Sequence, residues 1–293
     1  MIERVPGRFQ RYGISGNAIM AMERPLMSRK MMKAAKVNLR SVLERAEKII
    51  PSELPNDNTV KIQLMCDLWR SLFKDQPNFE LGNAVLFSQA MANRVLDPAT
   101  ASMLLLVIAN RFRLPLHLVA VPDTYHVRWQ DDHDSFNFSY GTYADDNSVI
   151  SQLGIPAQGI QSGAYMRNLT PVELRGAVYF RRGLFYVDNG DIALSMKEFA
   201  LSAIYWHANP VNFVNMGNSC LVRKNFVSAM ENYDTALQYD HDYPEALFYK
   251  ATACLALKDV EGAKKLYARA VGLKPGLKER LRQVKTLLDD VDA

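Results

Sequence analysis

The chain has 293 residues, 48% hydrophobic and 23% charged, an ordinary globular composition with length enough for two modest domains. The apolar run Met103 to Ala109 is far short of the roughly 20 residues that cross a bilayer, and the N-terminus lacks the apolar core of a secretory signal, so a cytoplasmic protein is expected. The net charge of +4 hides an asymmetry: residues 1–50 hold 11 Lys or Arg against 4 Asp or Glu, so a regulatory nucleic-acid binder using this basic region is one reading, weakened by the lack of any base-reading motif.

In chain order, Met32, Ala35, Leu39, Val42, Leu43, Ala46 and Ile49 recur at helical spacing and predict an amphipathic helix whose basic residues form a solvated face. Ile62, Met65, Cys66, Trp69, Leu72 and Phe73 predict a second, with the cysteine inside its apolar stripe. Asp97 is a good N-cap and Pro98 a good first-turn residue, so a buried helix is expected over 98–112. Three strand-like segments follow, "LHLVAV" at 116–121, "TYHVRW" at 124–129 and "SFNFSY" at 135–140. The hairpin connection "QDDHD" reads as a solvated turn, because consecutive acids on a hairpin point in different directions; no metal or other cofactor is expected.

The second half repeats at 34 residues. Gly183, Gly217 and Ala251 align; so do Tyr179, Phe213 and Leu247, then Ser195, Ala229 and Ala263, and the aromatics Phe199, Tyr233 and Tyr267. This is the pattern of the tetratricopeptide repeat, a helix-turn-helix whose small positions let helices approach and whose large ones fill the gaps. Three repeats are expected, 176–209, 210–243 and 244–277, opened by the capping box "TPVE" at 170–173 and closed by a solvating helix from Leu277 to Val291. Cys220 and Cys254 are one repeat apart and read as reduced core thiols.

A helix start followed by two strands bearing polar residues is the layout of the papain-like and transglutaminase-like cysteine enzymes, in which a thiolate at the helix start meets residues from adjacent strands. On "NRVLDPATASMLLLVIANRFRLPL", "VAVPDTYHVRW", "FNFSYG" and "LGIPAQGIQSGAYMRNLTPVE", the chain resembles the SirB-type bacterial proteins. The resemblance implies an α+β fold: a mostly helical transglutaminase-like domain with a small antiparallel sheet over 27–165, then an all-α repeat solenoid over 171–293. Residues 1–26 match nothing in it and read as an N-terminal arm, with a flexible and an ordered arm both left open by the sequence. Carried over by residue, the catalytic cysteine position holds Pro98, the histidine position Thr124 with His126 nearby, and the third position Asn137. Ser102 is expected to bond back to the backbone.

A pseudoenzyme is therefore expected, a protein-binding scaffold or adaptor without catalysis. The alternative is a cryptic cysteine hydrolase or acyltransferase using Cys66 with His126. By similarity to the repeat family, the groove is expected to present Phe180, Leu184, Val214, Asn218, Phe248 and Thr252, with Arg181, Asn215, Tyr249 and Glu245 at its rim, to an apolar or amphipathic segment of a protein or peptide partner. The N-terminal domain or a second copy of the chain are alternative occupants.

Overall fold

The computed structural model describes residues 14–74 and 78–280. It divides into two compact units that exchange segments: residues up to Gly154 with Met166–Arg182 form the first, and Ile155–Tyr165 with the residues from Gly183 onward form the second.

The first unit begins with helix α1 (Gly16–Glu23), a short 3-10 turn, α2 (Arg29–Ile49) and α3 (Asn58–Lys74). The arm expected over 1–26 is thus partly a packed helix: Ile19 and Met20 are fully buried, and residues 1–13 lie outside the described residues. Glu23 ends α1 and accepts hydrogen bonds from the backbone N–H groups of Phe87 (2.9 Å) and Ser88 (2.6 Å). They belong to the first turn of α4 (Phe87–Asn93), where N–H groups lack partners within the helix. Burial pushes the Glu23 carboxyl above its ordinary value despite these bonds.

In α2 the expected stripe is the buried one, Met32, Ala35, Leu39, Val42 and Ala46, joined by Asn38, whose amide donates to the Met91 carbonyl at 2.8 Å. In α3 the buried line is Leu64, Met65, Leu68 and Leu72, so Cys66 and Trp69 flank it, half-buried. Short strands β1 (Glu80–Leu81) and β2 (Val95–Leu96) pair in parallel beside α4. Helix α5 (Pro98–Phe112) has the expected bounds and is buried on every side from Ala99 to Ala109. It packs on α2, α4 and the first two strands of a four-stranded antiparallel sheet ordered β3 (Leu116–Val121), β4 (Thr124–Gln130), β5 (Ser135–Ser139) and β6 (Thr142–Ala144). The segment after Tyr165 covers the free edge of β3 through Met166 N–H to the Ala120 carbonyl and Leu169 N–H to the Leu118 carbonyl. That pairing is why the boundary expected near residue 166 is displaced.

The second unit contains α7 (Ala157–Gln161), the end of α8 (Pro171–Asp188), and the helix pairs α9 (Ile192–Tyr205), α10 (Pro210–Val222), α11 (Phe226–Tyr239), α12 (Pro244–Ala256) and α13 (Val260–Leu273). Helix α6 (Asp146–Leu153) precedes it in the first unit. The 34-residue period is visible in every punctuation mark. Asp191, Asn225 and Asp259 are side-chain N-caps of α9, α11 and α13, and Pro210 and Pro244 open α10 and α12. The turns pass through the left-handed region at Gly190 (φ 75°), Lys224 (φ 57°) and Lys258 (φ 67°).

The expected small-against-aromatic contacts form as well: a Cβ on Gly183 would run into the Phe199 ring, and one on Gly217 into the Tyr233 ring. Cys220 and Cys254 are buried and burial pushes both thiols up, as fits core residues. Thr170 and Glu173 close the expected capping box at the start of α8, with Thr170 N–H to Glu173 Oε2 at 2.9 Å and Glu173 N–H to Thr170 Oγ1 at 3.3 Å. Of the closing helix only its start, 277–280, falls among the described residues, with Leu277 buried.

Candidate functional site

The mouth of α5 is closed by reciprocal capping. Thr100 N–H donates to Asp97 Oδ1 at 2.7 Å, and Asp97 N–H donates to Thr100 Oγ1 at 2.9 Å. Arg181 pairs with the other Asp97 oxygen and donates to the carbonyls of Val85 (2.7 Å) and Ala84 (2.9 Å). The helix start, where free N–H groups would hold a thiolate, is thus occupied by a carboxylate that carries its own counter-charge. Pro98, at the position of the expected cysteine, has neither nucleophile nor N–H.

Beside it lies a shallow open cleft of about 200 Å³, including the solvent at its mouth, lined by Trp69, Pro98, Ala101, Ser102, Phe138 and Tyr140 among others. Ser102 Oγ is committed, but to the Tyr125 carbonyl on β4 (3.2 Å) rather than to its own helix. Tyr140, at φ 51° and 46% exposed, forms the lip; burial and the charge of Asp97 raise its hydroxyl pKa.

The remaining expected members of the constellation are elsewhere. Antiparallel register sets Val127 opposite Phe138 and Arg128 opposite Asn137. Phe138 lines the cleft, so the face of β4 turned to α5 carries Tyr125, Val127 and Trp129, while Thr124, His126, Arg128 and Asn137 share the opposite face. The sheet therefore separates Pro98 from Thr124, His126 and Asn137.

Asn137 serves an arginine: its Oδ1 accepts from Arg128 Nε (3.2 Å) and its amide donates to Asp146 Oδ1 (2.7 Å), which Arg128 also reaches at 2.7 Å. Burial lowers the His126 pKa, and its Nδ1 is buried with no hydrogen-bond partner among the described residues, as is Thr124 Oγ1. Cys66 Sγ lies 3.9 Å from the Gly141 carbonyl, beside Trp69 and thus on the Phe138 side. The pairing of Cys66 with His126 is not formed.

The hairpin read as a solvated turn is instead a clasp. Lys61, fully buried, reaches Asp131 at 2.7 Å and Asp134 at 2.6 Å. Burial alone would lower the Lys61 pKa; its two carboxylate partners outweigh it and the net shift is upward. Burial alone would raise Asp131, but hydrogen bonds from Lys61, Trp129 Nε1 and the N–H groups of His133 and Asp134 hold it well below the carboxylate range. A lysine thus supplies the cation, and no group of three or more metal-ligating side chains occurs among the described residues.

The groove assignment also needs correction. Phe180, Val214, Phe248 and Thr252 are buried; Leu184 and Asn218 are half-buried. Phe180 falls in the first unit, and Arg181 is the buried strut just described rather than a rim residue. Phe248 packs edge-on against Tyr267 at 5.3 Å, and Thr252 Oγ1 meets the Tyr267 hydroxyl at 3.0 Å. Asn218 Oδ1 accepts from the Tyr233 hydroxyl at 2.8 Å. These side chains bind the two helices of a repeat together.

Among the residues that stay partly open on the first helices, Val211 and Asn215 on α10 stand one repeat before Glu245 and Tyr249 on α12. Two basic groups missed in the sequence join them: Lys274 pairs with Glu245 at 2.5 Å, and Arg280 donates to the Tyr249 hydroxyl at 3.3 Å. Lys274 caps the last helix of the third repeat, and Arg280 lies in the segment read only as a closing helix.

Residues 223–288 match the tetratricopeptide-repeat family model. Among solved structures, the first repeat domain of human RPAP3 is 23% identical over 40% of this chain and 95% of its own, with a TM-score of 0.36. The repeat domain of Arabidopsis OM64 is 16% identical over 39% of this chain and 98% of its own, with a TM-score of 0.37. The Yersinia enterocolitica secretion chaperone SycD, in complex with a peptide of the translocator YopD, is 19% identical over 39% of this chain and 89% of its own, with a TM-score of 0.34. No curated protein matches the chain. No helix among the described residues is long and apolar enough to cross a membrane.

Proposed function

We propose that the chain is a non-catalytic scaffold: a degenerate transglutaminase-like domain of the SirB type, carrying repeats that hold an amphipathic segment of a protein partner. The absence of catalysis rests on Pro98 at the helix start, on the Asp97 carboxylate that accepts from the Thr100 N–H there and pairs with Arg181, and on Asn137 serving Arg128.

Binding rests on one observation. Val211 and Asn215 recur one repeat later as Glu245 and Tyr249, a partly open row that mixes apolar and polar contacts on successive first helices. Such a row suits a segment with one apolar and one polar side. Tyr249 is its large anchor, stacked on Tyr233 with ring centres 6.3 Å apart.

The test is selection of a displayed peptide library on the purified chain, followed by titration of the recovered peptides against Asn215→Arg and Tyr249→Glu, with circular dichroism as the folding control. Enriched amphipathic sequences that lose at least about tenfold in affinity with either variant, roughly the worth of one interface anchor, are expected. Recovery of no common pattern, or equal binding by both folded variants, overturns the assignment.

A further inference from the structure

The first half of α2 carries an exposed basic stripe against the polarity of the helix. Arg29, Lys33, Lys36 and Arg40 are all exposed and follow one another at four, three and four residues, which puts them on one stripe about 16 Å long. None of the four has an ion-pair or hydrogen-bond partner among the described residues. Helix dipoles favour acids at the N-terminal end and bases at the C-terminal end. Here the first turn holds no acid and the four-residue basic stripe fills the first half, while the exposed acids Glu44 and Glu47 come in the second half and only Lys48 stands favourably in the last turn.

Each basic neighbour along the stripe also repels the next, since residues three and four apart face each other. Folding gains nothing from this arrangement. A surface that opposes both helix polarity and its own neighbours is relieved by an external polyanion, which meets the side chains and the positive helix end together.

The rest of the stripe narrows the class of polyanion. It holds one exposed apolar side chain, Val37, and no aromatic, so nothing on it enters a bilayer or fills a protein pocket. Nor does it carry Asn or Gln at exposed positions to read adenine; its Arg and Lys side chains are the residue types that contact phosphates. Cations in an unanchored row along a straight stripe suit contacts to a line of phosphates. We propose that the Arg29 to Arg40 stripe of α2 is a docking surface for the sugar-phosphate backbone of a nucleic acid, bound without regard to sequence. This stands apart from the repeat surface and does not depend on it.

Fluorescence anisotropy with a labelled mixed-sequence duplex and a labelled oligothymidine, between about 50 and 200 mM salt, tests it. Four phosphate contacts predict a slope of log affinity on log salt of about −4 for the duplex. The double variant Lys33→Glu/Lys36→Glu is expected to lose at least about tenfold in affinity and about two units of that slope. The same substitutions place acids toward the positive end of the helix, so the melting temperature is expected to hold or rise, which separates lost contact from lost fold. Absence of binding at the lowest salt, undiminished binding by the double variant, or tighter binding to vesicles of anionic lipid than to either nucleic acid overturns the proposal.

Discussion

In the repeat unit one contact is used over and over, whereas in the first unit each holding contact is used once. Gly183 under Phe199, Gly217 under Tyr233 and Ala251 in the third repeat, beneath Tyr267, are the same junction at 34-residue steps. By contrast Arg181 to Asp97, Glu23 to the start of α4, Arg128 to Asp146 and Lys61 to the hairpin are four unrelated polar struts. They join residues 84, 64, 18 and 73 positions apart in sequence or thereabouts. A repeated apolar junction spreads its stability over copies; a solitary buried ion pair concentrates the consequence of losing it.

The largest effect is accordingly expected at Arg181. Arg181→Met keeps most of the side-chain volume and leaves the Asp97 carboxylate and two backbone carbonyls without their donor. Breaking a buried pair on one side costs about 3–5 kcal/mol. Urea unfolding read by tryptophan emission checks this region by region, because Trp69 and Trp129 lie in the first unit and Trp206 in the second. The transition reported by Trp69 and Trp129 should move to lower urea by more than that of Trp206. Equal displacement of both would erase the distinction between solitary and repeated contacts.

The repeat unit is tested at Gly217. A methyl there meets the Tyr233 ring, which is fully buried and cannot withdraw, so Gly217→Ala is expected to cost about 1–3 kcal/mol through overpacking. The third repeat already carries Ala251 in one cluster with Tyr267, whose side chain is only half-buried. Thermal unfolding compared with the double variant Gly217→Ala/Tyr233→Phe sharpens the point. The second substitution removes the hydroxyl bond to Asn218 without removing the ring, so it should add to the loss rather than relieve it. Full rescue by the smaller side chain would mean that the hydroxyl, and not the ring, sets the spacing.

The same contrast explains what the sequence made legible. The 34-residue period, the N-terminal cap of α8, the whole of α5 and the first three strands of the sheet follow from local chemistry: period, cap residues and alternation. The strand faces were also written there, since Tyr125, Val127 and Trp129 form the apolar set that must turn toward a buried helix. Parity then places His126 with Arg128, away from Pro98. Lys61 within an apolar stripe, and Glu23 in a segment matching no pattern, give no local signal, because each is satisfied only by a partner more than sixty residues away. The 34-residue register identifies equivalent positions but not their depth, so it predicts groove positions for Val214 and Phe248, which Tyr233 and Tyr267 help to enclose.

The smallest effect concerns acid, and it isolates one strut of the first unit. Asp131 is held below its ordinary value in the folded state, so its contribution is fully present above the unfolded value of about 3.9 and is lost as pH falls through the lower folded one. Lys61, shifted upward, stays charged throughout that window and does not contribute to the change. In Lys61→Met the Asp131 carboxylate keeps its bonds from Trp129 and the hairpin N–H groups but loses its cation, and its pKa should return part of the way toward the ordinary value. The variant should therefore lose less stability than wild type between about pH 5 and pH 3, although it starts lower. Melting temperatures across that range decide it: parallel curves for the two proteins would mean that the hairpin bonds alone depress Asp131 and that Lys61 is held without being used.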